Sequence, residues 1–486
     1  MSVELPLRIR EHIDTFTGRT WLLLKLQTWL RERHEPVFLI TGLPGTGKSM
    51  LAAWLAGFGP TPADPVAAAQ LAQLRAMIRG AHFCIAGASV APQDVIGGLA
   101  CRLTEMLPGF DKALVASNGR EVQITINQQA GSVSGSMTGF VVERLVLGDI
   151  TPERALSLLL VDPLHRLYAA RDDTQVQVVL LVDALDEAET FSVRPKVAQL
   201  LSGLHDSPHL PRQVRILATT RPDPRVLAYF KPIPHESNLD LIDGAPVEAD
   251  DIAQYAQERL AGLDADRRMA LTQKVAAAAK GIFLYAHLVL EDLCAHPPAR
   301  VEVETLELPR DLSDLYLQFL LREIGAEERW YATYYPVLGL IAVAQGEGLS
   351  RTQIQGILGK PRPEVEPALR ACAQYLAGSV PDGPFRPFHQ SFAEFLLDDE
   401  YNTDRHIDAA EMHRLIADYY WNTYGTNWAG CDEYGLKHVP AHLKGVGQID
   451  RLNELLVDFE WLYAKLRATE VHALRADYEL TDDPEV

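Results

Sequence analysis

The sequence predicts an α/β protein: a parallel sheet covered by helices in the first half, then a mostly helical second half with one small strand pair. Three observations carry this expectation. Short apolar runs at Val37–Ile40, Ala81–Ala86, Gln177–Val182, Val214–Ala218 and Leu239–Ile242 recur between helical stretches. Such alternation is the mark of a parallel sheet, and near-continuous apolar strands are what a sheet buried on both faces needs. The first run leads at once into a glycine-rich octapeptide and then, from about Met50, into a helix rich in Ala, Leu and Trp. After about Asp250 the alternation gives way to helical periodicity.

Taken in order, residues 1–36 read as helix and end at Pro36. Gly59–Asp64 (GPTPAD) is a loop. Val122–Leu147 departs from the alternation: its β-rich runs with Gly and Ser between them read as a β-hairpin inserted into the sheet domain. Ile252, Tyr255, Ala256 and Leu260 share one face of a helix that Asp250 or Asp251 can cap. A second helix runs through Lys274–Leu293. Ser350 and Gln353 have capping-box spacing ahead of Ile354, Ile357 and Leu358. A helix over Val365–Leu376, a PDGP turn and Phe385–Phe388 then complete the outline of a winged helix. From about Ala409 the remainder reads as helices. The boundaries expected are 1–243 for the sheet domain (hairpin insertion at about 120–150), 244–310 helical, 311–405 winged helix, and 406–486 C-terminal helical.

Composition bounds the rest. The chain has 486 residues, 47% of them hydrophobic, enough for a large core. Lys and Arg number 45 against 65 Asp and Glu, a net charge of −20 that disfavours nonspecific binding to nucleic acid. The five cysteines are odd in number, widely spaced and without a CxxC pair, which fits reduced thiols. MSVELPLRIREHID lacks the apolar core of a signal peptide. No apolar run reaches the ~18 residues of a membrane helix. A soluble, cytoplasmic protein is expected.

The octapeptide is Gly42-Leu43-Pro44-Gly45-Thr46-Gly47-Lys48-Ser49, which matches G-x-x-x-x-G-K-[ST]. Glycines allow backbone N–H groups to turn inward around phosphates. Lys48 is placed to reach the β- and γ-phosphates and the Ser49 hydroxyl to hold Mg²⁺, while the helix opening near Met50 aims its positive end at the same anion. The expected ligand is ATP with Mg²⁺. A second run, Val178–Val182, ends in Asp183-Ala184-Leu185-Asp186-Glu187. Asp183 would hold Mg²⁺ from a sheet edge where ligands bind in open α/β sheets. Asp186 and Glu187 would orient or deprotonate the attacking water. A third, Arg215-Ile216-Leu217-Ala218-Thr219-Thr220-Arg221-Pro222, places Arg221 to sense a γ-phosphate.

These three segments, in this order, resemble the STAND class of signalling P-loop ATPases, its NACHT branch in particular. DALDEAE looks like that branch's Walker B form and ATTRPDP like its sensor segment. Phe16-Thr17-Gly18-Arg19 is similar to the family's F-x-G-R motif, so the resemblance implies that Phe16, Gly18 and Arg19 line the adenine pocket. Family members often carry an acidic residue after Gly-Arg, whereas Thr20 and Trp21 follow here. Gly281-Ile282-Phe283 stands where related ATPases carry G-x-P. Phe388-His389-Gln390-Ser391-Phe392-Ala393-Glu394-Phe395-Leu396 is similar to the winged-helix segment F-x-H-x-x-F-x-E-F. There the resemblance implies that His389 touches the β-phosphate of ADP and locks a closed state.

The expected function is thus an ATP/ADP-controlled switch that hydrolyses slowly. It would be monomeric with ADP and homo-oligomeric when opened, with protein trigger and effector partners or further flanking domains, in immune defence or regulated cell death. A steadily cycling AAA-type motor is the alternative, and it needs an arginine in trans that the sequence does not identify. A scaffold without catalysis is a third reading, opposed by the intact Ser49, Asp183, Asp186 and Glu187. Zinc at Cys431, His438 and His442 is disfavoured, because Pro440 is expected to interrupt the helical His spacing and no second cysteine is near. DNA binding by the winged helix is disfavoured by Glu364 and Glu366 beside the single Arg370.

Overall fold

The computed structural model describes residues 5–32, 35–86, 89–117, 122–127, 141–147, 150–169, 175, 178–191, 194–204, 210–231, 234, 237–245, 250–295, 302–324, 327–378, 380–400, 402–469, 471–481 and 483. The chain divides into two compact units, Met1–Tyr255 and Ala256–Val486.

In the first unit β1 (Val37–Thr41), β2 (Ile78–Phe83), β5 (Val178–Asp183), β6 (Val214–Thr220) and β7 (Asn238–Asp240) form one parallel sheet in the order β2-β5-β6-β1-β7. The inserted β3 (Val122–Asn127) and β4 (Val141–Leu147) pair antiparallel as the expected hairpin, Val122 opposite Leu147 and Asn127 opposite Val141. The turn expected between them lies outside the described residues.

Strand periodicity explains why the sheet must be covered twice. Successive side chains point to opposite faces, so Val37 and Leu39 join one buried cluster while Phe38 and Ile40 join another. On β5, Val178, Leu180 and Val182 serve the first cluster, and Val179 and Leu181 the second. Helix Pro92–Met106 supplies Val95, Ile96, Leu99 and Leu103 to the first. Helices Thr20–Glu32 and Lys48–Leu55 supply Leu22, Leu26, Leu51 and Leu55 to the second.

The amino-terminal region is not one helix. Helix Leu7–His12 and a short 3₁₀ turn end before Phe16, and a new helix starts at Thr20. Between them Gly18 (φ 79°) and Arg19 (φ 60°) are left-handed, which no α-helix accommodates. Of the two candidate caps near 250, Asp250 accepts from the Ala253 amide at 2.8 Å, and Asp251 is engaged elsewhere.

The second unit holds helices Ala265–Ala279, Phe283–Ala295 and Leu312–Ile324, then Tyr335–Val343, Arg351–Leu358 and Arg362–Ala371. The two-residue strands β8 (Leu376–Ala377) and β9 (Arg386–Pro387) pair antiparallel, and Leu349 bridges Phe385. The short helices and strand pair expected of a winged helix are therefore present. The last of those helices ends at Ala371, short of Leu376, because 373–375 tighten into a 3₁₀ turn that feeds β8. Ser350 and Gln353 form the full capping box. Tyr316, Tyr375, Phe392 and Phe395 pack as one aromatic cluster, with ring centroids 5.1–5.6 Å from Tyr316. Among the described residues five further α-helices lie between Ala409 and Tyr478. Among them Glu433–Val446 continues past Pro440 without a break. The helical spacing of His438 and His442 is thus kept, contrary to expectation.

Candidate nucleotide site

A parallel strand delivers its carboxyl end to one edge of the sheet, and the chemically distinctive residues gather at that edge. Gly42 leaves β1 directly. The loop closes where Gly47, at φ 88°, caps helix Lys48–Leu55. Gly45 is also left-handed, at φ 79°, so two positions of the motif have a backbone that side-chain-bearing residues resist. The helix has no side-chain cap at its N-terminus, which leaves backbone N–H groups and a positive dipole end at the loop. Leu43 is exposed, Pro44, Ser49 and Met50 are half-buried, and Thr46 and Lys48 are buried. Met50 packs against the hydrophobic cluster under the loop. The Lys48 ammonium turns back into the loop and donates to the Gly42 carbonyl at 2.6 Å and the Leu43 carbonyl at 3.1 Å.

Two strands away, β5 ends at Asp183, 1% exposed. The Thr219 hydroxyl on neighbouring β6 donates to its Oδ1 at 2.5 Å, and accepts from the Ala184 amide at 3.0 Å. Ala184 is left-handed (φ 58°) and turns the chain into the short helix Leu185–Ala188. That helix carries Asp186 and Glu187. Asp186 accepts from the Arg221 amide at 2.9 Å and pairs with the Arg221 guanidinium at 3.2 Å. Glu187 accepts from the Ala86 amide at 3.0 Å, beyond the end of β2. The expected catalytic residues Asp186, Glu187 and Arg221 thus lie just past the ends of two adjacent strands, β5 and β6, and Asp186 and Arg221 are bound to each other. Cys84 lies beside this acidic group, and burial, with Asp183, Glu187 and Asp186 adding to it, pushes its thiol well above its ordinary range.

Thr219 has no role in the sequence reading beyond its place in the Arg215–Pro222 segment. The one local signal is a hydroxyl near the carboxyl end of an apolar strand. Ser49 and Asp183 supply hydroxyl and carboxylate oxygens, the donor types that Mg²⁺ takes, and the residues fit that ion. Among the described residues no group of three or more His, Cys, Asp and Glu is placed to hold a metal ion.

The Phe16–Arg19 segment packs beside the glycine loop. Phe16 is half-buried against Trp54 of the loop's own helix, centroids 4.9 Å apart. Arg19 is 4% exposed, and its guanidinium donates to the Thr46 carbonyl at 3.0 Å and the Leu241 carbonyl at 2.8 Å. Burial lowers its pKa, opposed by Asp251 and Asp240. The Arg19 guanidinium thus reaches the glycine loop and the residue just past β7, and it also lies 3.6 Å from the Asp251 carboxylate.

In the second unit, His389 is the N-cap of helix Gln390–Leu397. Its Nδ1 accepts from the Ser391 amide at 3.1 Å and lies 2.7 Å from the Ser391 hydroxyl, which in turn meets the Tyr316 hydroxyl at 2.9 Å. His442 lies between Tyr434 and His413, its Nε2 2.9 Å from the Tyr434 hydroxyl and its Nδ1 2.8 Å from His413 Nδ1. Glu366 is paired with both Arg362 and Arg370 along its own helix. Among the described residues no helix is long and apolar enough to cross a membrane.

No protein-family model matches the chain, and no curated protein matches it. Solved structures to which the chain is similar include the following two. One is a STAND protein with a tetratricopeptide-repeat sensor from Pyrococcus horikoshii, at 12% identity and a TM-score of 0.42. The match covers 96% of this chain and 57% of that protein, so the chain spans little more than half of its length. The other is a Walker-type ATPase of Pyrococcus abyssi, at 14% identity and a TM-score of 0.32, covering 78% of this chain and 95% of that one. By its own five-stranded parallel sheet, with the glycine loop between β1 and the Lys48 helix, the chain has the α/β fold of P-loop nucleotide-binding proteins.

Proposed function

We propose that the chain is a STAND-type, NACHT-like ATPase switch that binds Mg-ATP, hydrolyses it slowly and self-assembles when opened, in defence or regulated cell death. The observation that carries the ATPase part is the convergence at one sheet edge of Lys48 and Ser49, Asp183 held by Thr219, and the Asp186–Arg221 pair. An incoming triphosphate would exchange the carbonyl partners of Lys48 for phosphate oxygens. Its γ-phosphate would compete with Asp186 for Arg221, and the released carboxylate would be available to accept a proton from water. Bound Mg²⁺ would neutralise phosphate charge between Ser49 and Asp183. The pairing of Asp186 with Arg221 supports a resting state that must be rearranged before turnover, which favours slow hydrolysis.

The switch part rests on the resemblance at His389. Moving a two-state equilibrium from 1:99 to 99:1 needs a differential affinity of about 10⁴-fold, or about 5.5 kcal/mol. A γ-phosphate and its metal, set against one histidine contact, supply part of that. The test is the identity of the nucleotide that copurifies, and the mass of the protein with ADP and with ATP. Bound ADP in a monomer, with larger species under ATP and more of them for His389→Ala, supports the switch. Fast unprompted turnover on the order of 1 s⁻¹, or a His389→Ala protein as monomeric as wild type under ATP, counts against it.

A further inference from the structure

Asp251 stands 232 residues from Arg19 in sequence yet is built into the same corner. Its Oδ1 accepts from the Arg19 amide at 2.8 Å and its Oδ2 from the Trp21 indole at 3.0 Å. The Arg19 guanidinium lies 3.6 Å from the same carboxylate, and both side chains are almost wholly buried. The approach is close enough to dictate sequence: a Cβ on Gly18 would fall 2.7–2.9 Å from the Asp251 carboxylate and its Cβ. The carboxylate thus fixes both the backbone and the guanidinium of Arg19. Arg19 then spans two carbonyls, Thr46 inside the phosphate loop and Leu241 just past β7.

Thr46 sits in the loop between the two left-handed glycines, 45 and 47. Holding its carbonyl fixes the Thr46–Gly47 peptide plane and with it the direction of the Gly47 N–H. A loop preorganised in this way binds without first being ordered. Asp251 also opens helix Asp251–Arg259, along which the chain passes from the first unit to the second at 255/256.

We infer that Asp251 is a positioning residue for the nucleotide site: through Arg19 it holds the Thr46 carbonyl of the phosphate loop, and so couples nucleotide occupancy to the anchoring of helix Asp251–Arg259. This rests on the nucleotide-binding reading above. Coupling of this kind is reciprocal. A loop ordered by nucleotide strengthens the seat of the helix, and loss of the seat weakens nucleotide binding.

The experiment measures the affinity of the full chain for Mg-ATP and ADP by calorimetry, and hydrogen exchange of amides 253–260 with and without nucleotide. Asp251→Ala is compared with Asp250→Ala, which removes the cap of the same helix without touching Arg19, and with the milder Asp251→Asn. Expected is a roughly tenfold or greater loss of affinity for Asp251→Ala, a smaller one for Asp251→Asn, and near wild-type binding for Asp250→Ala. Nucleotide should slow exchange of amides 253–260 in wild type and in Asp250→Ala but not in Asp251→Ala. Adding Arg19→Ala to Asp251→Ala should cost far less than the two single losses combined, since both act through one contact. Unchanged affinity in Asp251→Ala and Asp251→Asn overturns the inference. So does an equal loss in Asp250→Ala, which would make helix stability the cause. Wild type that binds no nucleotide at all instead overturns the reading on which the inference rests.

Discussion

The carboxyl edge of the sheet and the histidine-bearing helices of the second unit both collect polar residues in buried places, and they treat them differently. At the sheet edge the loop main chain turns on left-handed glycines, and an uncapped helix end faces the loop. Among the helices the polar groups are absorbed into packing: His389 caps a helix, and His442 is bonded to Tyr434 and His413. Strand topology explains the contrast. Parallel strands end together and deliver several side chains to one place, whereas packed helices bury a polar side chain only when a neighbour satisfies it.

The largest break between the two regions is expected from Lys48→Ala. In the proposed function Lys48 is the charge that meets the phosphates, and its loss would remove an ionic contact for which the loop amides cannot substitute. Nucleotide affinity should fall by about 100-fold or more, corresponding to roughly 3 kcal/mol, as read by titration calorimetry. The unfolding transition of the second unit should not move. If Lys48→Ala bound nucleotide within a few-fold of wild type, the sheet edge would be another packed polar region and the contrast would collapse.

The second expectation concerns acid. Burial, reinforced by Lys465 and Lys437, pushes His438 down to about 3. Burial pushes His442 well below the ordinary histidine value, with His413 and His438 adding to it, and burial also lowers His413. These imidazoles are neutral in the folded state, while the unfolded chain takes up protons below its pKa of about 6.5. Their stability contribution is therefore full above about pH 6.5 and is lost as the pH falls toward the folded values. For His438 alone the loss between pH 6.5 and 5 is about 2 kcal/mol. In the first unit burial likewise lowers His82, there opposed by the Ser89 carbonyl and Asp94. Calorimetric unfolding at pH 7 and pH 5 should show the second unit losing more, and His438→Leu should remove part of that loss. Equal acid slopes in His438→Leu and wild type would show that the packed histidines do not set it.

How much of this was legible follows from how far apart the partners lie in sequence. The five strands were readable because their signal is local: each is a short apolar run. The octapeptide and Asp183 were readable because their neighbours in sequence are their neighbours in space. The break at Phe16–Arg19 was hidden, because helical periodicity on both sides masked two left-handed residues. Asp250 and Asp251 look alike in sequence as candidate helix caps, and the long-range partners of Asp251, Arg19 and Trp21, give no signal in the chain around it. Thr219 needed the β5–β6 register, which sets Val182 beside Ala218 and so brings the two strand ends together. His389 shows a third case: the F-x-H-x-x-F-x-E-F match lies in consecutive residues, while its place as the N-cap of helix Gln390–Leu397 needed the helix boundary.

The smallest expected effect tests whether the second unit's polar residues act by packing alone. Ser350 and Gln353 form a reciprocal cap, and Gln353 reaches on to Asp432 at 2.9 Å, which also accepts from Tyr420. Ser350→Ala removes the hydroxyl that accepts from the Gln353 amide, while Gln353 can still accept from the Ser350 backbone N–H at 2.7 Å. The loss should be about 1 kcal/mol, a fall of about 2–4 °C in the unfolding temperature of a unit this size. Nucleotide affinity should stay at the wild-type value. A substitution that left the melting temperature alone but altered affinity would mean that this cap, unlike its neighbours among the packed helices, takes part in the switch.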